Sequence, residues 1–531
     1  MQKFLTSCDD IFLKYRYFIW FILLLPAFFF RDFTIPTELK YVSMVDEALR
    51  NNTLFTFYNH GEAYADKPPL YFWLLMLGKQ ITGKHMMLII GLFSLLPAIG
   101  IAVIMDKWFK KFDISHNPVI SNLLLITTAL FLGLSVFGRM DMMMCFFIVL
   151  SLYTFFRIYK NEHSPYETWL FPVYIFLAIF SKGPFGFMIP VASIVVFLIV
   201  VKKIRTIGNY FGLKQCAVLC GLCAAWFLSI YWEGGNEYLN NLLFKQTVGR
   251  GIDSFAHKEP IWYYFPRLLW SFAPWTILYI AMIVKGIRNK LFASDSFLFF
   301  VVIMVTNIVM LSLISAKVDV YLMPIYPFVV YLCSAIFHKD NSEKSVNISL
   351  IVQAVIFVLF FPCLLIAKKY VPYQFNFTLL FFGAGAFSIS GLLALWMIKI
   401  KKTSKAVTGM GFGMILLLCA VSFSMPQLNK YIGFREMAEE GEKIAKTENI
   451  EHFATYRFGY ARNMDVFLNR SMERIMTIAE LDSLNNLPHK TILYVRKTDI
   501  RGDEALSEWL SSKELKWEID ENCWYIVGGN E

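Results

Sequence analysis

Residues 380–398, LFFGAGAFSISGLLALWMI, pass without one charged side chain. A helix rises about 1.5 Å per residue, so roughly 20 such residues cross the hydrocarbon core of a bilayer. Similar runs recur along the chain, among them FIWFILLLPAFFF at 18–30. Backbone polar groups in lipid must be satisfied inside the segment, which makes these runs helices. The two-residue alternation of a membrane barrel is absent. Composition agrees: only 17% of the residues are charged, against about 25% in a soluble protein. The expected fold class is a polytopic α-helical membrane protein.

About 13 spans are expected, near residues 14–30, 84–105, 118–137, 141–158, 168–181, 185–201, 212–232, 266–285, 295–315, 320–337, 347–367, 374–399 and 406–425. The first is read as retained, because its start has mixed charge and no small-residue cleavage site follows it. The net charge of +10 could point to nucleic acid in a soluble chain. Here the basic clusters DKWFKKF, RIYK, KKIR, KGIRNK and KIKKTSK fall in alternate short loops, so they orient the protein by the positive-inside rule and bind no nucleic acid. AKKY at 367–370 is the exception. With the N-terminus inside and an odd number of spans, the tail lies outside. In a bacterium this is an inner-membrane protein with the tail in the periplasm.

The expected domains are a membrane domain, 1–426, with outer loops 31–83 and 233–265, and a periplasmic domain, 427–531. The tail alternates apolar runs (HFATYRF, RIMTIAE, TILYVRK, CWYIVGG) with the helix-like IAELDSLNNL and GDEALSEWLSSK, the pattern of a small α/β domain. It holds no phosphate-binding glycine motif. The nine cysteines contain one CxxC, Cys220–Cys223, and no second to complete a zinc-type pair of motifs; Cys216, Cys220 and Cys223 share a helical face and read as packing.

Ionisable residues at membrane depth are costly and mark function. Those that are not topology signals collect on the outer side: Glu38 and Lys40 in IPTELKY, Asp66 and Lys67 in AYADKPPLYFW, Arg139 and Asp141 in GRMD, Lys182 in SKGPFG, and Lys317, Asp319 and Tyr321 in SAKVDVY. Lysine offers a phosphate a point charge and arginine a fork. Carboxylates serve as a general base or bind a metal. His257 lies in the loop beside the aromatic residues Trp262, Tyr263 and Tyr264, which suit the wall of a sugar site. These residues read as an outward-facing anion site beside the bilayer.

The segment RDFTIPTELKYVSMVDEALRNNTLFTFYNHGEAYADKPPLYFWLLMLG resembles the first outer loop of the membrane GT-C glycosyltransferases, both the ArnT-like aminoarabinose transferases and the wider protein-mannosyltransferase superfamily. GRMDMMMCFF, SKGPFGF, GRGIDSFAHKEPIWYY and SAKVDVYLMPIYP follow in the family's order. The resemblance covers residues 10 to 340. It implies a GT-C fold with a small C-terminal periplasmic domain. It implies a sugar moved from a polyprenyl (undecaprenyl) phosphate donor to a lipid A-type, other lipid or glycan acceptor, among membrane lipids. It further implies that Lys67 contacts the donor phosphate and that Glu38 and Asp141 are catalytic beside it. Arg250 and Tyr321 match donor-site positions of the family, and Arg139, Lys40, Tyr41 and Lys317 are expected to line the donor site with them. The resemblance implies that Asp66 and His257 hold a divalent metal, zinc, magnesium or manganese.

Thr37 departs from the family pattern, which has an aspartate in front of the glutamate. Either Glu38 or Asp141 takes its role, or the acceptor is already anionic and needs no base, or transfer is lost. Asp46-Glu47 nearby sits in an amphipathic helix and reads as unrelated to the site. The rival readings are a catalytically degenerate glycolipid-binding protein and a transporter of lipid-linked sugars. The Pro-Pro of AYADKPPL is expected to end the loop and start a helix, holding Asp66 and Lys67 at the depth of the lipid phosphate.

Overall fold

The computed structural model describes residues 2–244, 259–341, 343–370 and 375–529. Helices stand at every one of the expected spans. Eight of them, among the described residues, are long and apolar enough to cross a membrane by length and composition, or up to 10 if each of two bent pairs counts as one span. The membrane helices used below are α1 (Gln2–Leu24), α4 (Met87–Lys111), α5 and α6 (Pro118–Ile126, Ala129–Val136), α7 (Asp141–Tyr159), α8 (Glu167–Lys182), α9 (Phe185–Val200), α10 (Leu213–Asn240), α11 and α12 (Tyr264–Ser271, Thr276–Arg288), α13 (Asp295–Leu313) and α14 (Tyr326–Lys339). Two amphipathic or short helices, α2 (Lys40–Asn51) and α3 (Leu70–Thr82), are built from the first outer loop.

The two bent pairs account for two of the expected spans that are not single unbroken helices. Helices α5 and α6 meet at 73°, and α11 and α12 at 110°. A broken helix frees backbone groups that lipid cannot satisfy. Here the breaks face each other: the Ala129 N–H donates to the Ala273 carbonyl at 2.7 Å, and Trp275 Nε1 donates to Thr127 Oγ1 at 2.8 Å. Thr127 and Thr128 return their hydroxyls to the Leu123 and Leu124 carbonyls.

Two short strands of the first outer loop, β1 (Tyr58–Asn59) and β2 (Glu62–Ala63), pair antiparallel, and the tail carries a five-stranded mixed sheet in the order β4-β3-β5-β7-β6. Strands β3 (His452–Tyr456), β4 (Glu473–Ile475), β5 (Lys490–Arg496) and β7 (Asn522–Gly528) are the four apolar runs of the sequence. Strand β6 (Leu515–Ile519) was not foreseen: LKWEI is an edge strand whose side chains are mostly half-exposed, so it lacks a continuous apolar face. The sheet has its own core, yet a second cluster of buried side chains runs without interruption from the first outer loop (Phe33, Tyr41, Val45, Phe57) into the tail (Met437, Phe453, Met464, Trp524). Polar contacts tie the same surfaces. The Arg435 N–H donates to Asp32 at 3.1 Å, His60 bonds Asn463 at 3.1 Å, and Arg474 pairs with Glu62 at 3.3 Å. The tail and the first outer loop therefore share one end of the molecule, as the expected topology requires.

Candidate functional site

Helix α3 begins directly after Pro68-Pro69, with the Trp73 N–H donating to the Pro69 carbonyl. Asp66 and Lys67 stand just before that start, held between the loop and the membrane, and pair with each other at 2.9 Å. The turn from α8 to α9 supplies the next cation. Gly183 lies at φ 100°, ψ −151°, a backbone region open essentially to glycine alone. The reversal leaves Lys182 on the last turn of α8 and Phe185 on the first turn of α9, facing one cavity. Gly186 lets the two helices close on each other; a Cβ there would lie 2.2 Å from the Ala178 backbone.

Asp141 opens α7 and is 1% exposed. Lys182 bonds its Oδ1 and Arg139 Nε its Oδ2 at 3.1 Å. Lys67 is near enough to act on Asp141 electrostatically. Lys40 Nζ donates to the Tyr64 hydroxyl at 3.3 Å, and Tyr64 donates to Asp66 Oδ2 at 3.2 Å. Lys67, Arg139 and Lys182 thus face two carboxylates, and Lys40 adds a fourth cation one residue-length further out.

Three members of this charged group, Asp66, Lys67 and Lys182, line a cavity of about 400 Å³. Asp66, Lys67, Lys182 and Tyr321 are its polar lining; Ile179, Phe185, Met188, Trp226, Phe227, Leu242 and Leu243 make the rest apolar. The Tyr321 ring lies 4.3 Å from that of Phe185, with the Lys182 ammonium 5.0 Å above it. An apolar tube ending in excess positive charge fits an anion on an apolar chain.

The structure brings together Lys67, Asp66, Arg139, Asp141, Lys40 and Tyr321. Tyr41 sits behind them, fully buried against Tyr71 and Phe72 at 6.1 and 5.5 Å, and hydrogen-bonds Tyr64. It supports the site without lining the cavity.

Two of the expected site residues are engaged elsewhere. Glu38 is not a free catalytic carboxylate: Arg31 grips it with two bonds of 2.6 and 2.7 Å, and it also accepts from the Thr34 N–H and hydroxyl and from the Gly138 N–H. Its acceptor capacity is spent on clasping the loop to the start of GRMD. Lys317 does not reach the donor cavity: it is 4% exposed and donates to the Glu259 and Ile314 carbonyls at 2.8 and 2.7 Å. Arg250 and His257 lie outside the described residues. Trp262 stands 61% exposed and the cavity lining does not include it, Tyr263 or Tyr264. Asp46 is occupied by Lys79 and His85 at 2.5 and 2.6 Å, as expected of a residue outside the site.

Tyr64, the hinge between Lys40 and Asp66, escaped the sequence reading. Its position two residues before Asp66 was the available clue.

Residues 66–232 match the family of dolichyl-phosphate-mannose-protein mannosyltransferases. An uncharacterised protein of Aquifex aeolicus is 24% identical over 83% of each chain. The undecaprenyl phosphate-alpha-4-amino-4-deoxy-L-arabinose arabinosyl transferases of Aeromonas salmonicida and Yersinia pestis are 20% and 23% identical. Those matches span 59% and 54% of this chain and only 58% and 52% of the relatives' own lengths. The crystal structure of ArnT from Cupriavidus metallidurans bound to undecaprenyl phosphate superposes with a TM-score of 0.77 over 98% of both chains, at 14% identity. Its apo form gives 0.76. The fold of this chain is that of ArnT, a polytopic helical GT-C membrane protein with a small sheet domain.

Proposed function

We propose that this chain, built on the ArnT fold over nearly its whole length, is an integral-membrane glycosyltransferase that uses an undecaprenyl-phosphate sugar and glycosylates a lipid A-type acceptor at the periplasmic face. The observation that carries the reading is the cavity: apolar walls for a polyprenyl chain, ending in more cations than carboxylates where its phosphate belongs. The sugar is a single pentose or hexose.

In this reading the acceptor oxygen bonds to the anomeric carbon as the bond from that carbon to the carrier phosphate breaks. The electron pair leaves with the phosphate, and its growing charge falls on Lys67, Lys182 and Arg139. Such pre-placed charges in a dry site are the largest contribution an enzyme makes to a reaction of this kind. Asp141 holds Lys182 and Arg139 in place rather than moving a proton, since both its oxygens are engaged. Thr37, whose hydroxyl lies 3.0 Å from that of Thr34, offers no carboxylate base. An acceptor that is already an anionic phosphate oxygen needs none.

The proposed divalent metal rests on Asp66 and His257. Among the described residues no group of three His, Cys, Asp or Glu side chains converges, and Lys67 already sits on Asp66. His257 lies outside the described residues, and no step is routed through a metal. Metal content of the purified protein, compared with Asp66→Asn, tests the expectation.

The test of function is transfer itself. Purified protein receives an undecaprenyl-phosphate sugar pool and an outer-membrane lipid extract, and mass spectrometry follows both. The expected result is donor loss with a matching acceptor gain, reduced at least about 100-fold in Lys67→Ala. Donor bound but never consumed would move the assignment to a glycolipid-binding protein, the reading that Thr37 keeps open.

A further inference from the structure

A second cavity, of about 270 Å³, opens where the tail domain rests on the first outer loop. Its wall is strongly cationic: Lys40, Arg457, Arg462, Arg474 and Arg496 face it, with Glu62 the one carboxylate among the lining residues. Three of the arginines are answered by carboxylates. Arg457 pairs with Asp503 at 2.8 Å, Arg474 with Glu62 at 3.3 Å and Arg496 with Asp499 at 2.9 Å. Arg462 is not: its buried Nε makes no hydrogen bond among the described residues. Burial and the neighbouring Arg474 both work against its charge, only partly offset by Glu62, Asp465 and Glu47.

A buried polar group without a partner needs an explanation, and a ligand is one. The same cavity holds a second such group of opposite kind, the buried amide oxygen of Asn59. One unmet donor on a cation and one unmet acceptor are complementary to a molecule that carries both an anionic oxygen and a hydroxyl. The rings of Phe458 and Tyr460 in the wall offer a surface for the apolar face of a sugar.

A chain of side chains runs between the linings of the two cavities. Lys40 lines the second, and Lys40–Tyr64–Asp66 leads to the lining of the first through bonds of 3.3 and 3.2 Å. The second wall has almost no aliphatic side chains, so it suits no polyprenyl tail.

We infer that this arginine cavity binds the phosphorylated saccharide headgroup of the acceptor, with Arg462 on the phosphate and Asn59 on a sugar hydroxyl. The word acceptor rests on the transferase reading; the binding of a phosphosaccharide does not. The inference gives the tail domain a role in substrate recognition, because all four arginines belong to it.

Full-length protein in detergent is titrated calorimetrically with a water-soluble glucosamine disaccharide phosphate, its unphosphorylated counterpart, inorganic phosphate, and undecaprenyl phosphate. The phosphorylated disaccharide is expected to bind at least about tenfold tighter than either fragment, as a charge-assisted contact to a fork predicts. Arg462→Gln should weaken it about tenfold or more and Arg462→Lys less, with undecaprenyl phosphate affinity and thermal unfolding unchanged. Lys67→Ala should do the reverse, weakening undecaprenyl phosphate alone. In transfer, Arg462→Gln should raise the acceptor KM and leave the donor KM. Binding of the phosphodisaccharide that Arg462→Gln leaves intact, or no binding at all, overturns the inference. Inorganic phosphate binding as tightly as the disaccharide phosphate overturns the headgroup assignment in favour of a free-anion site. Failure of transfer with phosphodisaccharide binding intact overturns the enzyme reading and leaves this site standing.

Discussion

Buried carboxylates organise both ends of the membrane domain, and they do so to opposite effect. At the end carrying the basic clusters, Asp106 accepts from Arg16 at 2.8 Å, Tyr17 at 2.5 Å, Tyr331 at 2.8 Å and Asn122 at 3.2 Å, with His116 at 3.5 Å. One arginine balances one carboxylate, and neutral donors fill the remaining lone pairs. At the other end Asp141 shares its surroundings with Lys182, Arg139 and Lys67 beside an apolar cavity. A saturated, balanced cluster ties α1, α4, α5 and α14 together and has nothing left to give a ligand. An unbalanced one beside a cavity has charge to spare. Charge stoichiometry around the carboxylate, not free volume, separates a tie from a site, since Asp106 and Arg16 also line a cavity, of about 520 Å³; the residue types are nearly the same.

The comparison is most strongly tested by Lys182→Ala. Removing one partner of a buried pair leaves a charge uncompensated, which costs about 3–5 kcal/mol, so both the unfolding temperature and transfer should fall. Lys182→Arg should restore part of the stability. Asp106→Asn should cost stability alone, about 2–4 kcal/mol, while the donor KM per folded molecule stays unchanged. A change in that KM would show that the two ends are coupled rather than separate.

A third buried carboxylate sharpens the contrast by pH. Asp465 lies where the tail meets α2, and burial pushes its carboxyl up to about 6, with the nearby Ser43 hydroxyl and Arg50, 3.8 Å away, only partly opposing this. A carboxyl raised in the folded state favours folding at low pH. That stability is fully present below the usual carboxylate range near 3.8 and is lost as pH rises through about 6. The amount is on the order of 2–3 kcal/mol. Unfolding followed between pH 4 and 7 should show the slope, and Asp465→Asn should flatten it. The smallest effect is expected of Thr37→Asp, which should keep transfer within about tenfold of wild type or raise it. Loss of transfer would mean that a carboxylate at 37 disturbs the Arg31–Glu38 clasp.

Much of this was legible in advance because bilayer physics is strict. Each long apolar run became a helix or a bent pair, and the helix after Pro68-Pro69 starts at Leu70. The tail's strands fell on its β-branched and aromatic runs, except β6. The site was legible as a set of residues and illegible as a set of roles. Glu38 and Asp141 read alike in sequence, an acid beside a base in a loop, yet five hydrogen bonds close the first and two cations set the second at a cavity. Lys317 looked like Lys182 until its ammonium was seen on two carbonyls.

By itself the sequence determined that the chain crosses a membrane many times, that its unusual charges gather on one side, and that a small α/β unit follows. Those outcomes depend on local quantities: hydrophobic length, charge spacing and periodicity. Which cations face a cavity, which carboxylates are used up, and that four arginines of the tail meet Lys40 of the first loop were decided by the tertiary structure. Those depend on contacts between residues as far apart as Lys40 and Arg496. No local pattern records a partner that arrives hundreds of residues later in the chain.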